Sequence, residues 1–74
     1  MTEQEWREKF ARKLGLMLLD SNCTKKEFAE TVGISECTLS NYLHGRRLPS
    51  ILILKDIADA LDCTMDELTT FQRY

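Results

Sequence analysis

The stretch that most restricts the fold runs from Thr24 to Gly45 and holds two short helical patterns separated by a single glycine. Thr24 begins the first pattern, and Glu27 completes a capping box, in which each side chain bonds the backbone N–H of the other residue. Gly33 ends this pattern, because a residue without a Cβ adopts the left-handed backbone conformation at little cost. The turn that follows is too tight for the two helices to lie side by side.

The second pattern begins at Ser35, a favourable N-terminal cap, and has one apolar and one polar side. Its predicted buried side carries Thr38, Leu39, Tyr42 and Leu43. Its predicted outward side carries, at helical spacing, Glu36, Cys37, Ser40, Asn41 and His44. A short polar helix edge that stands off a small core is what the DNA major groove admits. The two patterns together have the layout of a helix-turn-helix.

The order of these features resembles the lambda-repressor-like (Xre-type) family of bacterial and phage DNA-binding domains. The resemblance covers roughly residues 12–68, and its most specific segments are AETVGIS, YLHGRRLPS and LKDIADALDCTMDEL. It implies an all-α, compact fold of five helices, with a helix-turn-helix motif at residues 24–45 formed by helices 2 and 3. It also implies a regulator of transcription that binds double-stranded DNA.

The rest of the sequence predicts the helices that surround the motif. Thr2 and Glu5 form another capping box, which begins a first helix. The apolar stripe of that helix consists of Trp6, Phe10, Leu14, Met17 and Leu18. Ser50 caps a fourth helix, and Thr64 with Glu67 forms a capping box for a short fifth one.

Several positions depart from the pattern of the resembled family or are unusual at helix ends. Leu18 and Leu43 stand where many members pair an arginine with a glutamate. We expect this apolar pair to change how the scaffold is held and to leave the function in place, because replacing a buried ion pair is often neutral. Asp62 replaces a glycine, and both Asp62 and Asn22 are expected to adopt the left-handed conformation. Lys25 stands where the resembled family typically has a glutamine, at the start of the first motif helix.

Length and composition limit the other possibilities. Seventy-four residues correspond to one domain, residues 1–74, with no space for a separate catalytic or effector domain. No apolar run approaches a membrane span and the N-terminus is too polar for a secretory signal, so we expect a cytoplasmic protein without a membrane partner. Three scattered cysteines and one histidine favour neither disulfides nor a metal site. We expect no cofactor, no small-molecule ligand and no enzymatic activity.

The net charge of −2 argues mildly against DNA binding, because affinity for DNA depends largely on phosphate neutralisation. Residues 50–74, however, carry five acidic and two basic side chains, whereas residues 24–49 carry three acidic and four basic ones. The surplus acid is therefore predicted to lie away from the outward edge of the second motif helix. The basic residues of the first helix are interpreted mainly as a solvated face, with phosphate contact the less favoured role: Arg7, Lys9, Arg12 and Lys13.

The candidate base-reading residues are Glu36, Cys37, Ser40 and Asn41. Asn41 is the best of them, because its amide pairs bidentately with N6 and N7 of adenine. Glu36 has two interpretations, since an acid at a helix N-terminus complements the helix dipole and also accepts from N4 of a cytosine. Cys37 and Ser40 are small enough to contact a thymine methyl group or to let the helix sit deep in the groove.

The candidate phosphate contacts are Lys25, His44, Arg46 and Arg47. The two arginines lie in an exposed loop between Gly45 and Pro49, and the alternative interpretation is that they only increase solubility. Phosphate contact is favoured, because like charges in a tight loop need solvent or an anion to compensate them. So few contacts predict a homodimer on a roughly palindromic operator, acting as a repressor.

One alternative function stays open, an antitoxin-like or other protein-interaction module with the same fold. Leu48 and residues 51–53 give more apolar surface than one inward stripe needs, and exposed apolar clusters often mark partner sites. Residues 69–74, with Phe71 and Tyr74, have two interpretations: a loose tail or a contact with a second copy.

Overall fold

The computed structural model describes residues 2–70, which form helices and no strand. The five helices are α1 (Glu3–Asp20), α2 (Lys25–Val32), α3 (Glu36–Leu43), α4 (Ile51–Ala60) and α5 (Met65–Thr69). The all-α, five-helix fold class is therefore confirmed, with the helix-turn-helix formed by α2 and α3. None of these helices is long and apolar enough to cross a membrane. The prediction for Phe71 and Tyr74 falls outside the described residues.

Reciprocal side-chain caps fix the start of α1 and of α2. Thr2 Oγ1 accepts a hydrogen bond from the Glu5 N–H at 3.2 Å, and the Glu5 carboxylate accepts from the Thr2 N–H at 3.3 Å. Thr24 and Glu27 form the same pair, with both bonds at 3.1 Å. Both predicted capping boxes are thus confirmed.

The remaining three helices begin at simpler caps. The hydroxyl oxygens of Ser35 and Ser50 each accept from the backbone N–H three residues further on. Thr64 Oγ1 accepts from the Glu67 N–H at 3.1 Å, but the Glu67 carboxylate turns to the Thr64 hydroxyl, 3.5 Å away, and not to the backbone. The prediction of a complete capping box at α5 was therefore wrong, because the bond from the Thr64 N–H to the Glu67 carboxylate is missing.

The two complete capping boxes predict a pH dependence of stability. Hydrogen bonds from the backbone and then the side chains of Thr2 and Thr24 hold the pKa values of Glu5 and Glu27 below the usual 4.5. Because the pKa of each carboxyl is lower in the folded chain than in the unfolded chain, the ionised carboxylates stabilise the fold fully above the unfolded pKa. This stabilisation is lost as the pH falls through the folded pKa. In urea denaturation from about pH 7 to about pH 3, the Glu5→Gln, Glu27→Gln double variant should lose stability less steeply than the native chain.

Glutamine preserves the geometry of a capping box, so the double variant is a matched control for charge alone. Identical slopes of unfolding free energy against pH in the two proteins would show that these carboxylates do not cause the acid sensitivity.

Left-handed residues follow four of the helices, and the sequence predicted three of them, Asn22, Gly33 and Asp62. Gly33 has φ 87° after α2 and Gly45 has φ 70° after α3, while Asn22 and Asp62 have φ 61° and 55°. A Cβ at Gly45 would lie 3.4 Å from the carbonyl oxygen of Arg7, which is ordinary van der Waals contact, so the left-handed conformation is what favours glycine there. The backbone after α3 therefore lies directly on α1.

The helix-turn-helix is held by packing on both of its sides. α3 packs against α1 and α2, α2 also packs against α4, and α5 packs against α1 and α4. The shared core consists of Phe10, Leu14, Leu18, Phe28, Ala29, Val32, Leu39, Tyr42, Ile57, Ala58 and Leu68. Trp6 and Met17, predicted for the same stripe of α1, are only half-buried, because they lie at its edges.

The apolar residues at the start of α4 divide into core and surface. Ile53 packs against the core, so it is the part of this apolar excess that does not belong to a contact surface. Ile51 and Leu52 are 72% and 74% exposed, and Leu48, in the preceding loop, is 39% exposed. These three residues are hereafter called the apolar patch.

Candidate nucleic-acid interface

The outward edge of α3 presents polar side chains, and its inner side is anchored in the core. Leu39 is fully buried and Tyr42 nearly so. On the outward edge, Glu36 and Cys37 in the first turn and His44 at the C-terminal cap are exposed. Ser40 and Asn41, in the turn between them, are half-buried. The predicted orientation of this helix agrees with the structure, and the roles of these residues on DNA stay predictions.

The turn between α2 and α3 sets the position of that edge. The N–H groups of Gly33 and Ile34 both donate to the Ala29 carbonyl, at 2.8 and 3.0 Å. Ala29 is 2% exposed, and its small side chain allows α3 to cross close to α2. The chain therefore leaves α2 and enters α3 within three residues, which gives α3 one fixed direction.

The outward edge keeps free hydrogen-bonding capacity. Within residues 2–70, the side chains of Glu36 and Asn41 make no hydrogen bond, and the Cys37 thiol is free and exposed. The Asn41 amide has two donors and an acceptor available, even though the residue is half-buried. A half-buried amide without an internal partner is suited to a partner that approaches from outside.

His44 differs from the others, because its ring is bound to its own helix. Nδ1 lies 2.8 Å from the Ser40 carbonyl oxygen and 3.2 Å from the Ser40 hydroxyl. A carbonyl oxygen only accepts, so Nδ1 is the donor and the neutral ring has a bare acceptor at Nε2. A phosphate also only accepts. The predicted phosphate contact of His44 at Nε2 therefore requires the protonated imidazole.

The loop after α3 is fixed to the helix by two backbone bonds. The Arg46 N–H donates to the Asn41 carbonyl at 2.9 Å, and the Gly45 N–H donates to the Tyr42 carbonyl at 3.2 Å. This pair is the Schellman motif that a glycine in the left-handed conformation permits. The backbone of Arg46 is therefore placed by the same helix that presents Asn41, and the side chains of Arg46 and Arg47 are exposed.

The basic residues near α3 are not neutralised inside the described part of the chain. Its one ion pair joins Arg7 Nη1 and Glu3 Oε2 at 3.3 Å, so Lys25, Arg46 and Arg47 have no carboxylate within 4 Å. No Cα atom of α4 or α5 lies within 8 Å of a Cα atom of α3. Those two helices and the turn between them carry the exposed acidic surplus, as predicted: Asp56, Asp59, Asp62, Asp66 and Glu67.

Arg7 is the residue whose position the sequence interpretation missed. Its side chain is 30% exposed and lines a groove together with Arg46 and Arg47, so it is not part of a purely solvated face. The signal was present in the sequence, because Arg7 precedes Phe10 by three residues and Leu14 by seven, which is the spacing of the inward stripe. That periodicity indicates an inward direction, but it does not identify the loop that Arg7 meets.

The cysteines and acidic residues do not form a metal centre in residues 2–70, where no three potential ligands come close enough to hold an ion. Cys23 and Cys63 are half-buried. Burial raises the pKa of the Cys63 thiol, and the nearby charges of Glu67 and Asp62 raise it further. A raised pKa keeps the thiol protonated, which fits a packing role for Cys63.

Comparisons with known proteins agree with this geometry. A helix-turn-helix family model matches residues 14–68 of the chain. YazB of Bacillus subtilis (strain 168), an uncharacterised HTH-type transcriptional regulator, is 44% identical over 45 residues, which make up 61% of this chain and 65% of that protein. The match therefore spans slightly less than two thirds of that relative's length. No solved structure gives a significant match.

Proposed function

We propose, since this chain belongs to the lambda-repressor-like (Xre-type) helix-turn-helix family of DNA-binding regulators, that it regulates transcription by binding one specific DNA sequence. The observation that carries this proposal is the outward edge of α3, where Asn41 and Glu36 have unused hydrogen-bonding groups. Arg46, Arg47 and Lys25 lie on the adjoining segments without carboxylate partners within residues 2–70. In this proposal α3 is the recognition helix.

The base-reading roles follow from the chemistry of the edge. Asn41 pairs with N6 and N7 of an adenine, and Glu36 accepts from N4 of a cytosine or serves only the dipole of α3. Cys37 and Ser40 allow a close approach and contact a thymine methyl group. Ser40 is also occupied by His44, which limits its hydroxyl to a secondary role.

The phosphate-binding roles belong to the residues around that edge. Lys25, at the start of α2, and Arg46 and Arg47, after α3, neutralise backbone phosphates and carry no sequence information. His44 joins them in its protonated form. Because the contacts of one copy are few, the affinity of one copy should be low and should fall as salt is added.

A homodimer on a roughly palindromic operator is the assembly that fits these dimensions. The longest Cα extent of the chain is 32 Å and each copy has one recognition helix, whereas successive major grooves on one side of DNA are about 34 Å apart. Two copies are therefore needed to read two grooves. A bound dimer that covers a promoter would act as a repressor in the cytoplasm.

Selection of bound sites from random duplex DNA tests the proposal. We expect enrichment of an inverted repeat whose half-sites are about 10 base pairs apart, centre to centre. Enrichment of a single, unrepeated half-site would contradict the homodimer, and the absence of any enriched sequence would contradict the function itself.

The apolar patch favours one alternative, an antitoxin-like or other protein-interaction module. Ile51 and Leu52 are more than 70% exposed and follow Leu48 closely in the chain, and clustered apolar side chains on a surface often mark partner sites. This alternative predicts no enriched sequence in the DNA selection and a stable complex with a co-expressed protein that Ile51→Lys abolishes.

A further inference from the structure

Three arginines from two distant segments line one groove beside the first half of α1. The residues that line it are Glu3, Arg7, Tyr42, Arg46, Arg47 and Leu48. The segments meet because Gly45 lies on the α1 backbone, with a Cβ there reaching within 3.4 Å of the Arg7 carbonyl oxygen. The packing of the loop on α1 therefore brings the arginines together, in addition to the adjacency of Arg46 and Arg47.

The positive charge of this groove is poorly balanced by the protein. Glu3 is its one carboxylate, and that side chain is 76% exposed and 3.3 Å from Arg7 Nη1. Exposed pairs of this kind hold weakly, because solvent and salt screen them. Three guanidinium groups and one carboxylate leave the groove with a net charge of +2 in a chain whose net charge is −2.

One nitrogen of Arg7, a residue that lines the groove, has an unmet bonding requirement. Arg7 Nε is buried and has no hydrogen-bond partner among the described residues. Buried charged donors usually have an acceptor, and native structures contain few exceptions. The planar fork of a guanidinium group matches the oxygen atoms of a phosphate, and several arginines around one anion are typical of phosphate recognition.

We infer that this groove is a phosphate-binding site in which Arg7 acts together with Arg46 and Arg47. On the proposed function, on which this part of the inference rests, the ligand is a backbone phosphate beside the major groove that α3 enters. A free phosphate-bearing ligand has the same chemistry. In either case Glu3 competes with the anion for Arg7, so removing its charge should strengthen binding.

The first measurement uses inorganic phosphate and the ¹⁵N-labelled full chain. The Arg7 Nε resonance, identified by its absence from Arg7→Gln, should shift as phosphate replaces chloride at constant ionic strength. Glu3→Gln should lower the phosphate concentration at which this shift is half complete, because it removes the carboxylate that competes with the anion for Arg7. Arg12→Gln is the matched control, because Arg12 is an exposed arginine of α1 outside the groove.

The second measurement uses the selected DNA duplex. Arg7→Gln should weaken all duplexes alike, by about tenfold per bound copy, because it removes one charge-assisted contact from each copy. It should also reduce the slope of log affinity against log salt by about 0.9 per bound copy, the value for one phosphate. Arg12→Gln should leave that slope unchanged, since it alters net charge equally but not the groove.

The outcomes separate this inference from the proposed function. A phosphate-dependent shift with a reduced salt slope supports the site and assigns it to DNA. A phosphate-dependent shift supports the site and assigns it to a free phosphate-bearing ligand in two cases. In the first the salt slope does not change, and in the second the chain binds no DNA. An Arg7 resonance that neither phosphate nor duplex affects overturns the inference, even if DNA binding itself is confirmed.

Discussion

Leu39→Ala is expected to lower the free energy of unfolding by about 2–5 kcal/mol, the range for a leucine truncated inside a core. Leu39 is 0% exposed, and its helix, α3, packs against both α1 and α2. The substitution removes buried methyl groups and leaves a cavity where the recognition helix is attached. The total free energy of unfolding of a small domain is about 5–15 kcal/mol, so this change alone would remove much of the stability.

Leu52→Ala is the matched control for this prediction, because it makes the same chemical change at a position that is 74% exposed. We expect an effect within about 0.5 kcal/mol there. Urea denaturation followed by circular dichroism measures both variants. If the two truncations proved equally destabilising, Leu39 would not be the anchor of α3, and the stated orientation of the outward edge would lose its support.

Asn41→Ala and Arg46→Ala are expected to weaken DNA binding in two different ways. Asn41→Ala removes a bidentate contact with one base, so it should reduce affinity for the selected site by about 1–3 kcal/mol and relax specificity at one position of each half-site. Arg46→Ala should weaken selected and unrelated duplexes alike and should reduce the salt slope by about one per bound copy. The two residues are close in the structure, since the Arg46 N–H donates to the Asn41 carbonyl.

Fluorescence anisotropy with the selected duplex, and with duplexes that differ at each base pair, separates the two effects. Both variants keep the backbone bonds that end α3, because the substitutions change side chains only. A uniform loss in Asn41→Ala, or a loss at one base position in Arg46→Ala, would mean that base-reading and phosphate-binding roles have been assigned to the wrong residues.

Local signals in the sequence predicted most of the fold. Thr2 and Thr24 each have a glutamate three residues on, and both pairs form complete capping boxes. Gly33 and Asn22 were expected in the left-handed conformation, and both adopt it. These features were predictable because each depends on hydrogen bonds or steric contacts within a few residues of the chain.

Features that depend on contacts between distant segments were not predicted. The sequence shows that Arg7 shares the register of Phe10, but not that Gly45 brings the next loop onto α1 beside it. Helical register likewise placed His44 on the outward edge, and did not show that the Ser40 carbonyl oxygen would accept a hydrogen bond from Nδ1. At the start of α4, one periodic run of apolar residues divided between the core at Ile53 and the surface at Ile51.

Alkylation of Cys37 tests the central claim most directly, because this thiol is exposed on the outward edge of α3 while Cys23 and Cys63 are half-buried elsewhere. Peptide mass mapping after a timed iodoacetamide pulse reports all three rates in one sample of the native chain. Saturating amounts of the selected duplex should strongly slow the modification of Cys37 and leave the rates at Cys23 and Cys63 unchanged. An unchanged Cys37 rate, in a sample where anisotropy shows the duplex to be bound, would contradict insertion of this edge into the groove.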